Sequence, residues 1–364
     1  MLILTELFNC CRESHDIMTR PSVRIWTMAW PLVFLGFTSS TAAQSLFDSH
    51  DILEVTIEAP LTTLARVRSD VDYLDGTFSY TNEMEEARLF DLKIRARGRY
   101  RRQKKTCNFP PVRLNFKSGQ VEGSLLDGED KLKLVTHCQN KRAKSEQYVL
   151  REYMAYRILQ ILTDRSFRAR LLRITYVNNE KDDDPMTKYG FVIEDDDSVG
   201  ERLGMEARDV KSLAYNDLDP GQTNLINLFE YLIGNTDYSL IRGPADDNCC
   251  HNSVPFSNGG PVSPVPYDFD FSGLVDAPYA EPNPQLKIRD VRTRLYRGRC
   301  SNNEHLPASI SHIRSKKDEI YALIDEIDGF DQSSQQSVTR YLNEFFDNIA
   351  DDKMIQRNLI RRCS

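Results

Sequence analysis

The run Lys131-Leu132-Lys133-Leu134-Val135 and the segment Ser145–Leu162 that follows it decide how this chain of 364 residues is read. The first alternates polar and apolar residues with the period of a half-buried strand. The second carries Leu150, Met154, Ile158 and Leu162 at intervals of four, which stacks apolar side chains along one helix stripe. Asp164 closes that periodicity. Before this point the chain reads as strands: Ile52–Ile57 alternates, Leu89–Tyr100 is long and extended, and Val112–Phe116 is short and bounded by Pro. After it, Arg170–Val177 and Tyr189–Ile193 form a hairpin across the polar loop Asn178–Thr187. Helical spacing then dominates, first in Leu225, Leu228, Phe229 and Leu232 up to Gly234, a glycine placed to stop a helix, and later in Ser309–Ile327 and Ser333–Ile349. The pattern predicts an α+β fold of two lobes, a β-rich one over 44–195 with one helix and a hairpin, and a mainly helical one over 196–364.

Composition supports a packed core and narrows the partners. Hydrophobic residues make up 40% and charged residues 28%, far from a disordered composition. Lys and Arg number 47 against 54 Asp and Glu, a net charge of -7 that argues against nucleic acid as the partner. Near the N-terminus Arg20 and Arg24 precede the apolar stretch Trp26–Phe37, and Thr41-Ala42-Ala43 stands before Gln44. This is the tripartite form of a secretory signal. Met18 is then read as the natural start, and residues 1–43 as an extension plus signal peptide. The apolar run is interrupted by Pro31 and is shorter than a spanning helix needs, so no membrane span is expected after cleavage. The expected location is secreted or periplasmic.

Six cysteines follow residue 43, an even number that suits disulfides in an oxidising compartment. Their spacing does not suit a zinc ribbon. Cys107 is expected to pair with Cys138. Cys249 and Cys250, as neighbours, are expected to pair outward with Cys300 and Cys363.

The densest polar constellation is Gly234-Asn235-Thr236-Asp237-Tyr238, followed by His251-Asn252 and then Pro266-Tyr267-Asp268-Phe269-Asp270-Phe271. Asp268 and Asp270, two apart in an extended run, share a face and could hold a hard cation such as Mg²⁺ through oxygen. The aromatic residues alternating with them place the carboxylates beside a buried surface, where they require partners. An amide from Asn235, Asn248 or Asn252 would serve. Lys131 or Lys133, on one face of a strand, could meet phosphates, with Glu152 on the following helix as carboxylate partner. Arg95, Arg97, Arg99 and Arg101 alternate along one predicted strand, either as a phosphate-attracting face or as a charged edge protected against aggregation. His137, His251 and His312 fit no Ser-His-Asp or metal spacing and read as structural or solvated. No G-x-S-x-G elbow accompanies Thr236 or Ser239.

Taken in order, Lys93–Gly98, the helix Glu146–Leu162, the strand Tyr189–Glu194, Gly234–Tyr238 and Tyr267–Asp270 resemble the spore-coat protein H (CotH) type of secreted atypical kinase, and more distantly HipA-like and lipid-kinase-like proteins, over Ile52 to Tyr279. The resemblance implies a two-lobed kinase-like fold and an ATP-dependent phosphotransferase using Mg²⁺. Asp237 would orient the acceptor hydroxyl, and Asn252, Asp268 and Asp270 would hold the metal. Lys133, held by Glu152, and Arg97 would meet the phosphates, with Glu194 near the adenine. The acceptor would be a protein, glycan or small molecule. The chain departs from ordinary protein kinases in lacking a G-x-G-x-x-G loop and in its long Asp237–Asn252 interval. The competing expectation is a non-enzymatic surface binding protein whose acidic pocket holds a structural cation such as Ca²⁺.

Overall fold

In the computed structural model the described residues are 45–364 apart from 83 and 246, so the signal-peptide reading lies outside them. Strand β1 (Leu53–Ala59), helix α1 (Leu61–Val67), β2 (Leu74–Thr81), β3 (Ala87–Ala96), β4 (Val112–Asn115), the short α2 (Ser118–Val121) and β5 (Lys131–Val135) lead into α3 (Lys144–Leu162), the strand–helix junction read from the sequence. The hairpin β6 (Ala169–Asn178) and β7 (Met186–Ile193) follows. Next come α4 (Asp196–Leu203), β8 (Glu206–Ala207), α5 (Pro220–Ile233), β9 (Ser253–Ser257) and β10 (Ser263–Pro266). Four helices close the chain: α6 (Leu306–Ser315), α7 (Lys317–Glu326), α8 (Gln332–Asn348) and α9 (Asp352–Asn358).

The two-lobed kinase-like fold expected from the sequence does not form. The first strands close into a seven-stranded mixed barrel in the order β1-β2-β3-β4-β5-β7-β6, with helices packed around it. Closure comes from one parallel pairing, Leu53 to Ala59 of β1 against Leu172 to Asn178 of β6; the other barrel pairs are antiparallel. A barrel removes the open edges a flat sheet would leave. A separate sheet, β10-β9-β8, lies outside it.

Alternation along the shared strands makes two cores. Leu132 and Leu134 of β5, Leu172, Ile174 and Tyr176 of β6 and Val192 of β7 fill the barrel, while Val135, Leu171, Phe191 and Ile193 face the helices. Helix α3 packs in this second core with α5 and α8, and Leu150, Met154, Ile158 and Leu162 are all buried there. The predicted helix 309–327 is two helices, broken at Lys316. Helix α5 begins with Asp219 capping the Gln222 amide and Pro220 in the first turn, where its missing N–H costs nothing. It ends at Gly234, whose φ of 67° is left-handed. A side chain at Gly234 would also run into the Tyr341 hydroxyl.

The arginine run is not one strand. β3 stops at Ala96, and Gly98, at φ 79°, turns the chain out of the ladder. The four side chains therefore disperse. Arg95 bonds the Asp70 carbonyl and Arg99 pairs with Asp247 at 2.6 Å. Arg101 dives into the interior, and Arg97 faces the cleft described below.

Cys107 and Cys138 pair as expected. The other expectation is corrected: Cys249 pairs with Cys250, and Cys300 with Cys363. Backbone bonds from Cys300 to Ser364 and from Ser364 to Gly298 bring the C-terminus beside Cys300, so those two cysteines find each other. Three pairs at disulfide distance fit an oxidising, extracellular setting. Among the described residues no helix is long and apolar enough to cross a membrane.

Candidate functional site

Three loop segments meet because their backbones bond to one another. Ser239 and His251 exchange N–H···O bonds at 2.9 and 3.2 Å, and the Tyr267 N–H donates to the Asn252 carbonyl at 3.0 Å. The Gly273 N–H donates to the Gly234 carbonyl at 3.1 Å. This knits the end of α5, the entry to β9 and the exit from β10 into one wall. Asn235 shapes the first segment, its side-chain oxygen accepting from the Asp237 N–H at 2.9 Å. Arg297 clamps it from behind by donating to the carbonyls of Thr236 and Tyr238.

The wall lines a cleft of about 800 Å³ whose other side is the Arg97–Arg101 loop and helix α3. Asp237, Asn252, Asp268, Asp270, Glu152 and Arg97, all singled out in the sequence, line it together. Asp237 accepts from the Asn252 amide at 3.2 Å and pairs with His251 Nε2 at 2.9 Å. That hydrogen bond, opposed by burial, raises the His251 pKa. Asn252 and Asp268 both hold left-handed backbones, φ 53° and 64°, which a surrounding structure must enforce. Asp268 and Asp270 therefore do not lie on one extended strand, although both reach the cleft. The Asp268 N–H is anchored on the Tyr156 hydroxyl of α3 at 2.9 Å, and Asp270 accepts from the Tyr279 hydroxyl at 3.1 Å.

Two of the expected cofactor contacts are elsewhere. Lys133 does not pair with Glu152; it pairs with Asp196 at 2.6 Å, beside the rings of Phe167 and Tyr267. Glu152 is instead met by Arg101 at 3.2 Å, in a pair 2% and 8% exposed at the side chains. Arg101 reaches it because Gly98 turns its loop inward, while Lys133 leaves β5 beside the first turn of α4. Lys131, the other candidate, is exposed. Glu194 is also not at the cleft. Its carboxylate is taken up by Arg202 at 2.7 and 2.9 Å and by the Arg168 N–H at 2.9 Å. His251, Arg101, Asp196, Asp209, Asp247 and Arg208 line the cleft without having been named as site residues. Arg101 carried a signal as the end of the arginine run, and His251 stands within the polar constellation but reads there as structural or solvated.

Charge is unbalanced in this cleft. Seven carboxylates line it against four arginines, Arg97, Arg99, Arg101 and Arg208. Asp268 and Asp270 have no ion-pair partner among the described residues. Burial and the neighbouring Asp268 push Asp270 up to about 7, against the pull of Arg101. Burial pushes Glu152 well up too; Arg101 opposes this, and Asp270 and Asp268 add to it. The second carboxylate oxygen of Glu152 is buried without a hydrogen bond. Beneath the wall, burial raises Glu230 to about 8. Among the described residues no group of three or more His, Cys, Asp or Glu is gathered tightly enough to be a protein-only metal cage. Mg²⁺ commonly uses only one or two carboxylates, with water and phosphate oxygens completing its shell. Asp268, Asp270 and Asn252 each bring a side-chain oxygen to this cleft.

Compared with models of known protein families and with curated proteins, the sequence matches none.

Proposed function

We propose that the chain is an exported phosphotransferase that moves a phosphoryl group from ATP, in the presence of Mg²⁺, to a hydroxyl on a protein, glycan or small molecule. The observation that carries this reading is a cleft lined by seven carboxylates, of which Glu152 and Asp270 are buried, that also presents arginines. Carboxylates crowded in low dielectric favour a cation, and arginines favour phosphate. Of the CotH-type resemblance, the reading keeps the order of polar residues along the chain and not the fold. The three cysteine pairs support export.

In this reading Asp237 accepts the proton of the acceptor hydroxyl as its oxygen attacks the γ-phosphorus, and the bond to the β-phosphate oxygen breaks on the opposite side to release ADP. Asn252 and His251 hold the Asp237 carboxylate in place. Arg97, which has no ion-pair partner among the described residues, meets the phosphates; Lys133 is engaged by Asp196. Asp268, Asp270 and the Asn252 oxygen would hold Mg²⁺, which when bound neutralises phosphate charge.

Purified protein should melt at a higher temperature with ATP and Mg²⁺ together than with either alone. Asp268→Ala should abolish phosphoryl transfer from labelled ATP and leave the far-UV spectrum unchanged. Retained transfer would remove Asp268 from the mechanism. Tight Ca²⁺ binding with no response to ATP and Mg²⁺ would favour a non-enzymatic surface binding protein with a structural cation.

A further inference from the structure

Arg101, Glu152 and Tyr100 line not one cavity but two. Behind them lies a separate pocket of about 550 Å³ in which the charge is reversed. Lys105, Arg142 and Lys144 stand at its mouth, all exposed and none ion-paired among the described residues. Lys144 opens α3, so the positive end of a helix of 19 residues adds to their field. The loops that carry these cations are fastened together by the Cys107–Cys138 bond, by Gln139 donating to the Thr106 carbonyl at 2.9 Å, and by the Phe109 N–H on the Cys138 carbonyl at 3.0 Å. Fastening makes the cluster preorganised, which lowers the ordering cost of binding. At the shared wall, Arg101 Nε and Glu152 Oε1 are buried and lack hydrogen-bond partners, in residues 7% and 2% exposed. Tyr148 and Tyr279 provide flat apolar surface.

We propose that this pocket is a second ligand site, taking a small sugar-sized molecule that carries a phosphate or sulfate ester. Lys105, Arg142 and Lys144 hold the anionic group, and the ring lies against Tyr148 and Tyr279. Because the pocket supplies its own positive charge, binding needs no divalent cation. The proposal does not depend on the phosphotransferase reading of the acidic cleft.

Titration calorimetry on the full chain, in buffer stripped of divalent cations, tests it with glucose 6-phosphate, glucose 6-sulfate, inorganic phosphate and sulfate. Saturable binding of a sugar ester is expected, at least tenfold tighter than the matching free anion; the stronger of the two esters identifies the anionic group. Lys105→Gln, Arg142→Gln and Lys144→Gln combined should weaken it at least tenfold with an unchanged melting temperature, since all three side chains are exposed. Asp237→Asn, in the acidic cleft only, should change it less than twofold. Absence of saturable ester binding, equal affinity in the triple variant, or a loss in Asp237→Asn matching that of the triple variant would each overturn the proposal.

Discussion

The two cavities differ in sign although they share a wall. On one side of Arg101 and Glu152 carboxylates outnumber cations; on the other, cations outnumber carboxylates. The buried pair is thus a partition between opposite fields. Cavity sign follows from which loops reach it: Asp-rich turns after α5 and β10 supply one, and the disulfide-joined basic loops before α3 supply the other. Ligand preference here is a property of loops held on a closed barrel and a helix, the usual place for function on a rigid scaffold.

Removing the partition is the harshest way to break this comparison. Arg101→Ala leaves Glu152 buried and unpaired and should cost ~3–5 kcal/mol in urea denaturation. Arg101→Met combined with Glu152→Leu should recover most of that loss. If Arg101→Ala were neutral, the partition would carry no structural weight.

A milder intervention sharpens the acidic side. Burial and the neighbouring Asp268 push Asp270 up from 3.8 to about 7, so the folded state binds its proton more tightly than the unfolded state does. Stability must then fall as pH rises across that interval. Without divalent cations, wild type and Asp270→Asn should match near pH ~4, and the variant should be the more stable of the two at pH ~8. Mg²⁺ should narrow the gap. Parallel pH profiles would show that Asp270 is not crowded.

The smallest effect concerns His251. Its raised pKa means that its pairing with Asp237 stabilises fully below the ordinary value of 6.5 and is lost as pH rises through the folded value. The pair is about a third exposed, so solvent screening keeps the contribution under ~1 kcal/mol. His251→Gln should therefore differ from wild type in slow denaturant titrations below pH ~6 and converge with it above pH ~8.

Local periodicity was legible; what depended on distant pairing was not. Strand β5, helix α3, the β6–β7 hairpin and the end of α5 at Gly234 follow from alternation, stripe spacing and a left-handed glycine, all local properties. Barrel closure needs β1 beside β6, and nothing within Leu53–Ala59 names that neighbour. The same division runs through the site. Asp237, Asn252, Asp268 and Asp270 could be picked out because they sit in polar loops next to buried aromatics. Lys133 and Glu152 were matched by their order on a strand and a helix, yet the pair is decided by Gly98, which redirects Arg101 inward. Glu194 looked available because a sequence does not reveal that Arg202, two turns along α4, folds back on it.

The Cys300–Cys363 bond encloses helices α6 to α9 in a covalent loop. A protease that cuts anywhere within this loop leaves both fragments tethered, and they separate only after reduction. A nicked molecule thus keeps both pieces joined, heavier than the uncut chain by one water for each bond cleaved.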